Sequence, residues 1–309
     1  MERAAVVLEV GLNEAASRAQ NPYVPYASRD CAEDGLRCRA AGAAVVHWHA
    51  RDAATGAQRE GDAALYAAAL DQMRAASDVV AYPTYPIQPP HDLDARLGHC
   101  WKLRESHGLE IAPIDVGSVN VVTWNGERRS FGPESEVLGD LTVVQNSLGF
   151  TVAALARFDA LGLIPSVAAF DIGFTRTMVH LVRAGKLHQP VFFKIFLLGA
   201  WLAGPTPSEQ ALEFHLREIP PDIDVEWLVV PYAIRDPALI ERLSRRALEL
   251  GGGIRIGIGD NPEAFPEATN PQLVERAVRW CTEVGRTIAS PADVRNRLGV
   301  TPFTRSERV

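Results

Sequence analysis

The stretch AAVVLEVGLNEA, residues 4–15, decides between two folds. It is an apolar run of strand length that breaks at Gly11 and continues Leu12-Asn13-Glu14. In an open doubly wound α/β sheet, a glycine-rich phosphate turn usually follows the first strand. Neither GxGxxG nor GxxxxGK[ST] follows Gly11. Working outward, similar apolar runs recur at 43–49, 78–82, 110–116, 165–171, 191–198, 225–231 and 254–258. Most are apolar at consecutive positions, as in strands covered on both faces. Helix-period segments separate them, near 28–41, 62–76, 92–107, 148–162, 175–185, 207–217, 237–250 and 271–287. Thr206-Pro207-Ser208-Glu209, Asp236-Pro237 and Asn270-Pro271 put proline at helix starts, and Gly251-Gly252-Gly253 is a stop. Ser290-Pro291 opens a last short helix at 291–298. Eight strands alternating with eight helices predict a (β/α)8 TIM barrel. The chain reads as a single domain, 1–309, with a short C-terminal helical extension at about 289–309. LTVVQN, 141–146, runs straight into a helix pattern and reads as an appendage.

Composition narrows the function. With 47% apolar and 22% charged residues, the chain is ordinary globular material and not a disordered polymer. The longest apolar run, VFFKIFLLGAWLAG at 191–204, is short and carries Lys194, so no membrane span is expected. MERAAVVLEV lacks the basic segment and long apolar core of a secretory signal, which predicts a cytoplasmic protein. A net charge of −7 offers nothing to nucleic acid. Cys31, Cys38, Cys100 and Cys281 are scattered without a CxxC, against a disulfide framework or zinc ribbon.

Barrel chemistry sits at the C-terminal strand ends. Those ends carry Asn13 and Glu14; His47, His49, Arg51 and Asp52; Thr84; Asp115, Ser118 and Asn120; Asp171; Tyr232 and Arg235; and Asp260 with Asn261. His47 and His49 are the sharpest feature. Residues i and i+2 of a strand point to one side, so two imidazoles converge where a zinc ion can bridge them. A catalytic zinc needs a third protein ligand, and Glu14, Asp260 and Asp115 are the candidates. Arg255 and Asp260 can form a general base with its supporting cation. Thr84, Ser118 and Asn120 can donate to a substrate carboxylate or thioester, and Arg51 joins them as a substrate-binding candidate. Lys194, between FF and IFLL, is a rival centre: desolvation would lower its pKa and free its amine for a Schiff base. Trp48 and Trp201 read as packing residues. A barrel that binds a ligand without turnover is a further alternative.

GLNEAASRAQNPYVP, then AAGAAVVHWHARD, IDVGSVN (114–120), AFDIG (169–173), PVFFKIFLLG (190–199) and RIGIGD (255–260) resemble the β-keto acid cleavage enzymes, in order along nearly the whole chain. The founding activity of that family is 3-keto-5-aminohexanoate cleavage. The resemblance implies a TIM barrel that assembles as a homo-oligomer, with a divalent metal, usually zinc, on His47 and His49. It implies a transferase that turns a β-keto acid and acetyl-CoA into acetoacetate and a new acyl-CoA, through a metal-stabilised enolate and a retro-Claisen step. It assigns the base to Asp260, its support to Arg255, and substrate contacts to the Thr84 and Ser118 hydroxyls. Two positions depart from the family pattern. The family's Gly-Leu-Glu-Asp is here Gly257-Ile258-Gly259-Asp260, so the glutamate that is the third metal ligand is missing, and Glu14 is the candidate replacement. The strand ending at Phe170-Asp171 has no earlier carboxylate, which disfavours a cationic amino substrate and favours a neutral or anionic β-keto acid.

Overall fold

The computed structural model describes residues 4–87, 90–125, 130–131 and 143–300. Eight parallel strands form one sheet: β1 (Leu8–Gly11), β2 (Val45–Trp48), β3 (Val80–Pro83), β4 (Ile111–Asp115), β5 (Ile164–Ala169), β6 (Val191–Leu198), β7 (Val225–Tyr232) and β8 (Gly253–Ile256). The hydrogen-bonded order is β3-β2-β1-β8-β7-β6-β5-β4, and β3 packs beside β4, so the sheet curls into a nearly closed barrel. The protein is therefore a (β/α)8 TIM barrel. Nearly every strand residue is buried, because the strands face a filled interior on one side and the helix ring on the other.

The described helices are α1 (Ser28–Ala41), α2 (Ala63–Ala76), α3 (Leu93–His107), α4 (Leu148–Leu161), α5 (Ile172–Arg183), α6 (Glu209–Arg217), α7 (Pro237–Leu250), α8 (Asn270–Glu283) and α9 (Pro291–Leu298). All except α1 begin at a Ser, Thr or Asp whose side chain accepts from the first-turn backbone. Two caps shift the expected starts. Asp171 accepts from Gly173 N at 3.2 Å, so α5 starts at Ile172 instead of 175. Ser208 accepts from Ala211 N at 3.1 Å, which leaves Pro207 outside α6.

Val143–Val144, inside the expected appendage, pairs antiparallel with Val119–Asn120; residues 141 and 142 of that run lie outside the described residues. In the expected C-terminal extension α9 forms, and 301–309 lie outside the described residues. The helix α9 docks on the N-terminal end of the barrel through Arg295, which donates to both Glu110 oxygens at 2.9 Å. Among the described residues no helix is long and apolar enough to cross a membrane. The four cysteines are free and buried.

Candidate metal centre and active site

At the C-terminal mouth, β1 and β2 run side by side with Gly11 opposite His47. The chain leaving β1 turns inward at Glu14, whose φ of 30° lies in the left-handed region that a side chain rarely adopts. Three side chains hold this turn. Arg51 donates to the carbonyls of Asn13 (2.8 Å), Ala16 (2.7 Å) and Glu14, and Gln58 Nε2 adds a bond to Glu14 O at 2.7 Å. Asn13 clamps the His49 backbone, accepting from its N–H at 2.8 Å and donating to its carbonyl at 2.9 Å. The strained backbone delivers the Glu14 carboxylate to the two histidines. Glu14 Oε1 is 3.3 Å from His47 Nε2, and Oε2 is 2.8 Å from His49 Nε2.

The outer side of each imidazole is also set. His47 Nδ1 lies 3.2 Å from Tyr82 O. His49 Nδ1 lies 3.2 Å from Gln58 Oε1 and 3.4 Å from Glu60 Oε1. Oxygen acceptors at both Nδ1 atoms place the ring proton there and turn both Nε2 atoms toward Glu14. His49 Nε2 is buried, and its 2.8 Å approach to Glu14 Oε2 is an ion pair when the ring is protonated. Two imidazole nitrogens and a carboxylate facing one another are a donor set that a divalent cation can share once it displaces the proton between His49 and Glu14. Glu14, His47 and His49 are the group of described residues that bring three ligand atoms within 4.8 Å of one another. Burial keeps His47 neutral, with its pKa well below the usual value. Burial also opposes charge on His49, but Glu14 and Glu60 outweigh it and hold that ring up at about 9.

Arg255, on β8, connects this cluster to Asp260. Its Nε lies 3.1–3.2 Å from both Asp260 oxygens, Nη2 donates to Asp260 Oδ1 at 2.7 Å and also to Glu14 Oε1, and Nη1 reaches Glu9 Oε1 at 3.2 Å. Burial pushes Asp260 up to about 7; Arg255 pulls it down and the Glu14 charge pushes it up. Glycine makes this packing possible. A Cβ at Gly11 would lie 2.7 Å from Arg255 Nη2 and 2.9 Å from both Asp260 oxygens. At Gly259 it would lie 2.6 Å from Asn13 N and 2.9 Å from Glu14 Cγ. The space a side chain at 259 would need is thus filled by Glu14 and its turn.

Of the three carboxylates left open as third ligand, Glu14 alone reaches the histidines. Asp260 is paired with Arg255, and Asp115 accepts from Tyr85 Oη at 2.6 Å at the end of β4. Arg51 lies 4% exposed with its guanidinium on backbone carbonyls. Thr84 is half-buried, its carbonyl accepting from His99 Nε2 at 2.7 Å. Ser118 and Asn120 are exposed on the ribbon after β4, and Ser118 Oγ accepts from Asn146 N at 3.0 Å. Lys194 lies deeper: its Nζ is 2.8 Å from Glu9 Oε1 and 4.2 Å from the Tyr82 ring centroid, and it is 2% exposed. Burial brings it down to about 8, yet the amine is committed to an ion pair inside the barrel. Glu9, Gln58, Glu60 and Tyr82 were invisible to motif reading. The one available signal was Glu9, a charge inside the apolar run AAVVLEV.

A parallel barrel with a His–His–carboxylate cluster and a buried Arg–Asp pair at its mouth is the architecture of a barrel enzyme. The chain belongs to the beta-keto acid cleavage enzyme family, whose model matches residues 5–300, and is an enzyme of that class. It is 28% identical over 302 residues, 92% of each chain, to the 3-dehydrocarnitine:acetyl-CoA trimethylamine transferase of Rhizobium meliloti (strain 1021). It is 26% identical to the 3-keto-5-aminohexanoate cleavage enzyme of Fusobacterium nucleatum subsp. nucleatum, covering 92% of this chain and 93% of that one. It is also 26% identical to the 3-oxoadipate:acetyl-CoA acetyltransferase of Cupriavidus necator, over 92% and 90%. Among solved structures, apo ObcA matches 90% of this chain with a TM-score of 0.64 at 18% identity, a likeness of fold. This chain spans 66% of the ObcA chain.

Proposed function

We propose that this enzyme exchanges acyl groups between a β-keto acid and acetyl-CoA. The balanced reaction is R–CO–CH2–COO⁻ plus CH3–CO–S-CoA giving CH3–CO–CH2–COO⁻ plus R–CO–S-CoA. The observation that carries this reading is the continuous Glu14–His47–His49 cluster joined through Arg255 to Asp260. The relatives named as acetyl-CoA-dependent transferases of β-keto acids support the co-substrate. His47, His49 and Glu14 would hold a divalent cation, zinc by ligand type. When bound it supplies Lewis-acid polarisation of a keto oxygen.

The chain's own residues do the rest. Asp260 takes a proton from the methylene between the keto and carboxylate groups, and a carboxylate raised to about 7 is a competent base for this near neutrality. Arg255 fixes that carboxylate through Nε and Nη2, one edge of its guanidinium, and keeps it oriented as its charge changes. The carbanion attacks the acetyl-CoA carbonyl, the thiolate leaves and re-attacks the original keto carbon, carbon–carbon cleavage frees R–CO–S-CoA and the acetoacetate carbanion, and Asp260 returns its proton to that carbanion. Thr84, Ser118 and Asn120 supply donors to the substrate carboxylate or thioester. Arg51 acts through the Glu14 turn as a positioning residue. A homo-oligomer working in the cytoplasm completes the reading.

The test is acetoacetate formation that requires both a β-keto acid and acetyl-CoA. Asp260→Asn should lose about 10²–10⁴-fold in kcat while remaining folded. Full activity in that variant would overturn the mechanism.

A further inference from the structure

Beside the Arg–Asp pair, four aromatic side chains from three strand ends close into a ring. Phe170 follows β5, Phe196 lies in β6, Trp201 in the loop after β6, and Tyr232 ends β7. Phe170 meets Phe196 at 4.8 Å between centroids, Phe196 meets Tyr232 at 5.8 Å, Tyr232 meets Trp201 at 5.6 Å, and Trp201 meets Phe170 at 6.2 Å. All four contacts are edge-to-face, with interplanar angles of 61–78°. The ring borders the reacting groups. The Arg255 guanidinium carbon lies 5.8 Å from the Phe196 centroid. Ala233, next to Tyr232, donates its N–H to Asp260 O at 2.9 Å. Phe170, Trp201 and Tyr232 stay partly exposed. The Trp201 position is fixed by an antiparallel bridge to Thr123 and by Leu202 N donating to Val122 O at 2.8 Å.

We infer that this aromatic ring is the seat of the R group of the β-keto acid, and that R is neutral and apolar, an alkyl or aryl chain. The inference rests on the reaction proposed above and names its substrate class. Three observations select this chemistry. Recognition of an alkylammonium group needs aromatic faces converging on a gap. Here all four ring contacts are edge-to-face, so the rings pack on one another with no gap lined by parallel faces. The Phe196 face already carries the Arg255 cation, which repels a second positive charge. Among the described residues, the cations beside the reacting groups are committed: Arg255 to Glu9, Glu14 and Asp260, Lys194 to Glu9, and Arg51 to backbone carbonyls. A second carboxylate on R would meet the rings while these three cations are already paired. An alkyl or aryl chain removes apolar surface from water on both sides.

The test uses the full-length purified protein and three acids: 5-methyl-3-oxohexanoate (apolar), 3-oxoadipate (anionic) and 5-amino-3-oxohexanoate (cationic). Calorimetric titration without acetyl-CoA should give the apolar acid a Kd about tenfold or more below both charged acids. Trp201→Ala and Phe170→Leu should each raise that Kd about tenfold and change the charged acids by less than about twofold. A charged acid binding as tightly as the apolar one, or variants weakening all three alike, overturns the inference. If one variant fails to fold, the other and the wild-type order still decide. Turnover of the same acids with acetyl-CoA separates the two claims. No turnover with the binding order intact removes the proposed reaction and leaves the apolar seat standing.

Discussion

Glu14 shows how much one strained residue organises. Its positive φ is held by Arg51 and Gln58, and its carboxylate completes the set that His47 and His49 begin. Gly259→Glu should therefore remove metal, because the new Cβ would collide with Asn13 N and Glu14 Cγ. Metal content by elemental analysis checks this, and a variant that binds metal better than wild type contradicts it. Arg51→Lys cannot reproduce the fork onto three carbonyls, and should weaken metal affinity by about tenfold or more through the loosened turn. Chelator competition measures that affinity, and unchanged binding would show that the turn stands without Arg51. Asp260 sets the pH response. It acts as base only when ionised and its pKa is raised to about 7, so kcat/KM should fall by about tenfold per unit below that pH and level off above it. A flat profile across that range contradicts its role as base.

At the scale of elements, the ends of β1, β2 and β8 form one unit. The His47–His49 pair and the Arg255–Asp260 pair were legible because they are local: an i, i+2 histidine pair at the end of an apolar run, and an Arg-x-x-x-x-Asp spacing across the end of β8. The eight strands were legible for a similar reason, since doubly covered strands read as continuous apolar runs. What could not be read is what lies across strands. Tyr82, Lys194 and Arg255 come from β3, β6 and β8, yet all three place a donor on Glu9 Oε1. The aromatic ring is assembled from residues as far apart as 170 and 232, and Trp201 looked like ordinary packing. No periodicity reports such partners. The Glu9 pairing also bears on the rival chemistry of Lys194. Borohydride treatment with any of the three keto acids should trap no adduct, because the amine is buried on Glu9. A trapped mass lost in Lys194→Met would reinstate the Schiff-base reading.

At the scale of the whole molecule, the two barrel ends divide the work. The candidate metal and base residues gather at the C-terminal mouth, while α9 secures the N-terminal end through Arg295 and the buried Glu110. Arg295→Ala strips a nearly buried carboxylate of its bidentate partner, and Arg74 at 3.5 Å is a poorer substitute. The expected cost is about 3–5 kcal/mol, read from denaturant unfolding. A change under about 1 kcal/mol would show that this ion pair contributes little to holding α9 in place.

His99 gives the fold a pH dependence of known sign. Burial lowers its pKa to about 4, while the unfolded chain titrates near ~6.5. Its contribution is therefore complete above ~6.5 and is lost as pH falls toward about 4, by up to about 3 kcal/mol. Asp115 and Asp260 have raised pKa values and act in the opposite sense, so the contribution is isolated by comparison with His99→Gln. That variant should gain on wild type as pH is lowered from 7.5 to ~5. A constant difference would contradict the burial account.

The central claim is that Glu14, His47 and His49 form a metal centre although residue 259 is glycine. The direct measurement is the metal content of untagged protein purified without added metal, in wild type, Glu14→Gln and His47→Ala/His49→Ala. The account predicts about one divalent ion per chain in wild type, most of it lost in Glu14→Gln and all of it in the double variant. Wild-type protein that carries no ion and takes up no zinc at micromolar concentration, or Glu14→Gln that keeps its full complement, would contradict it.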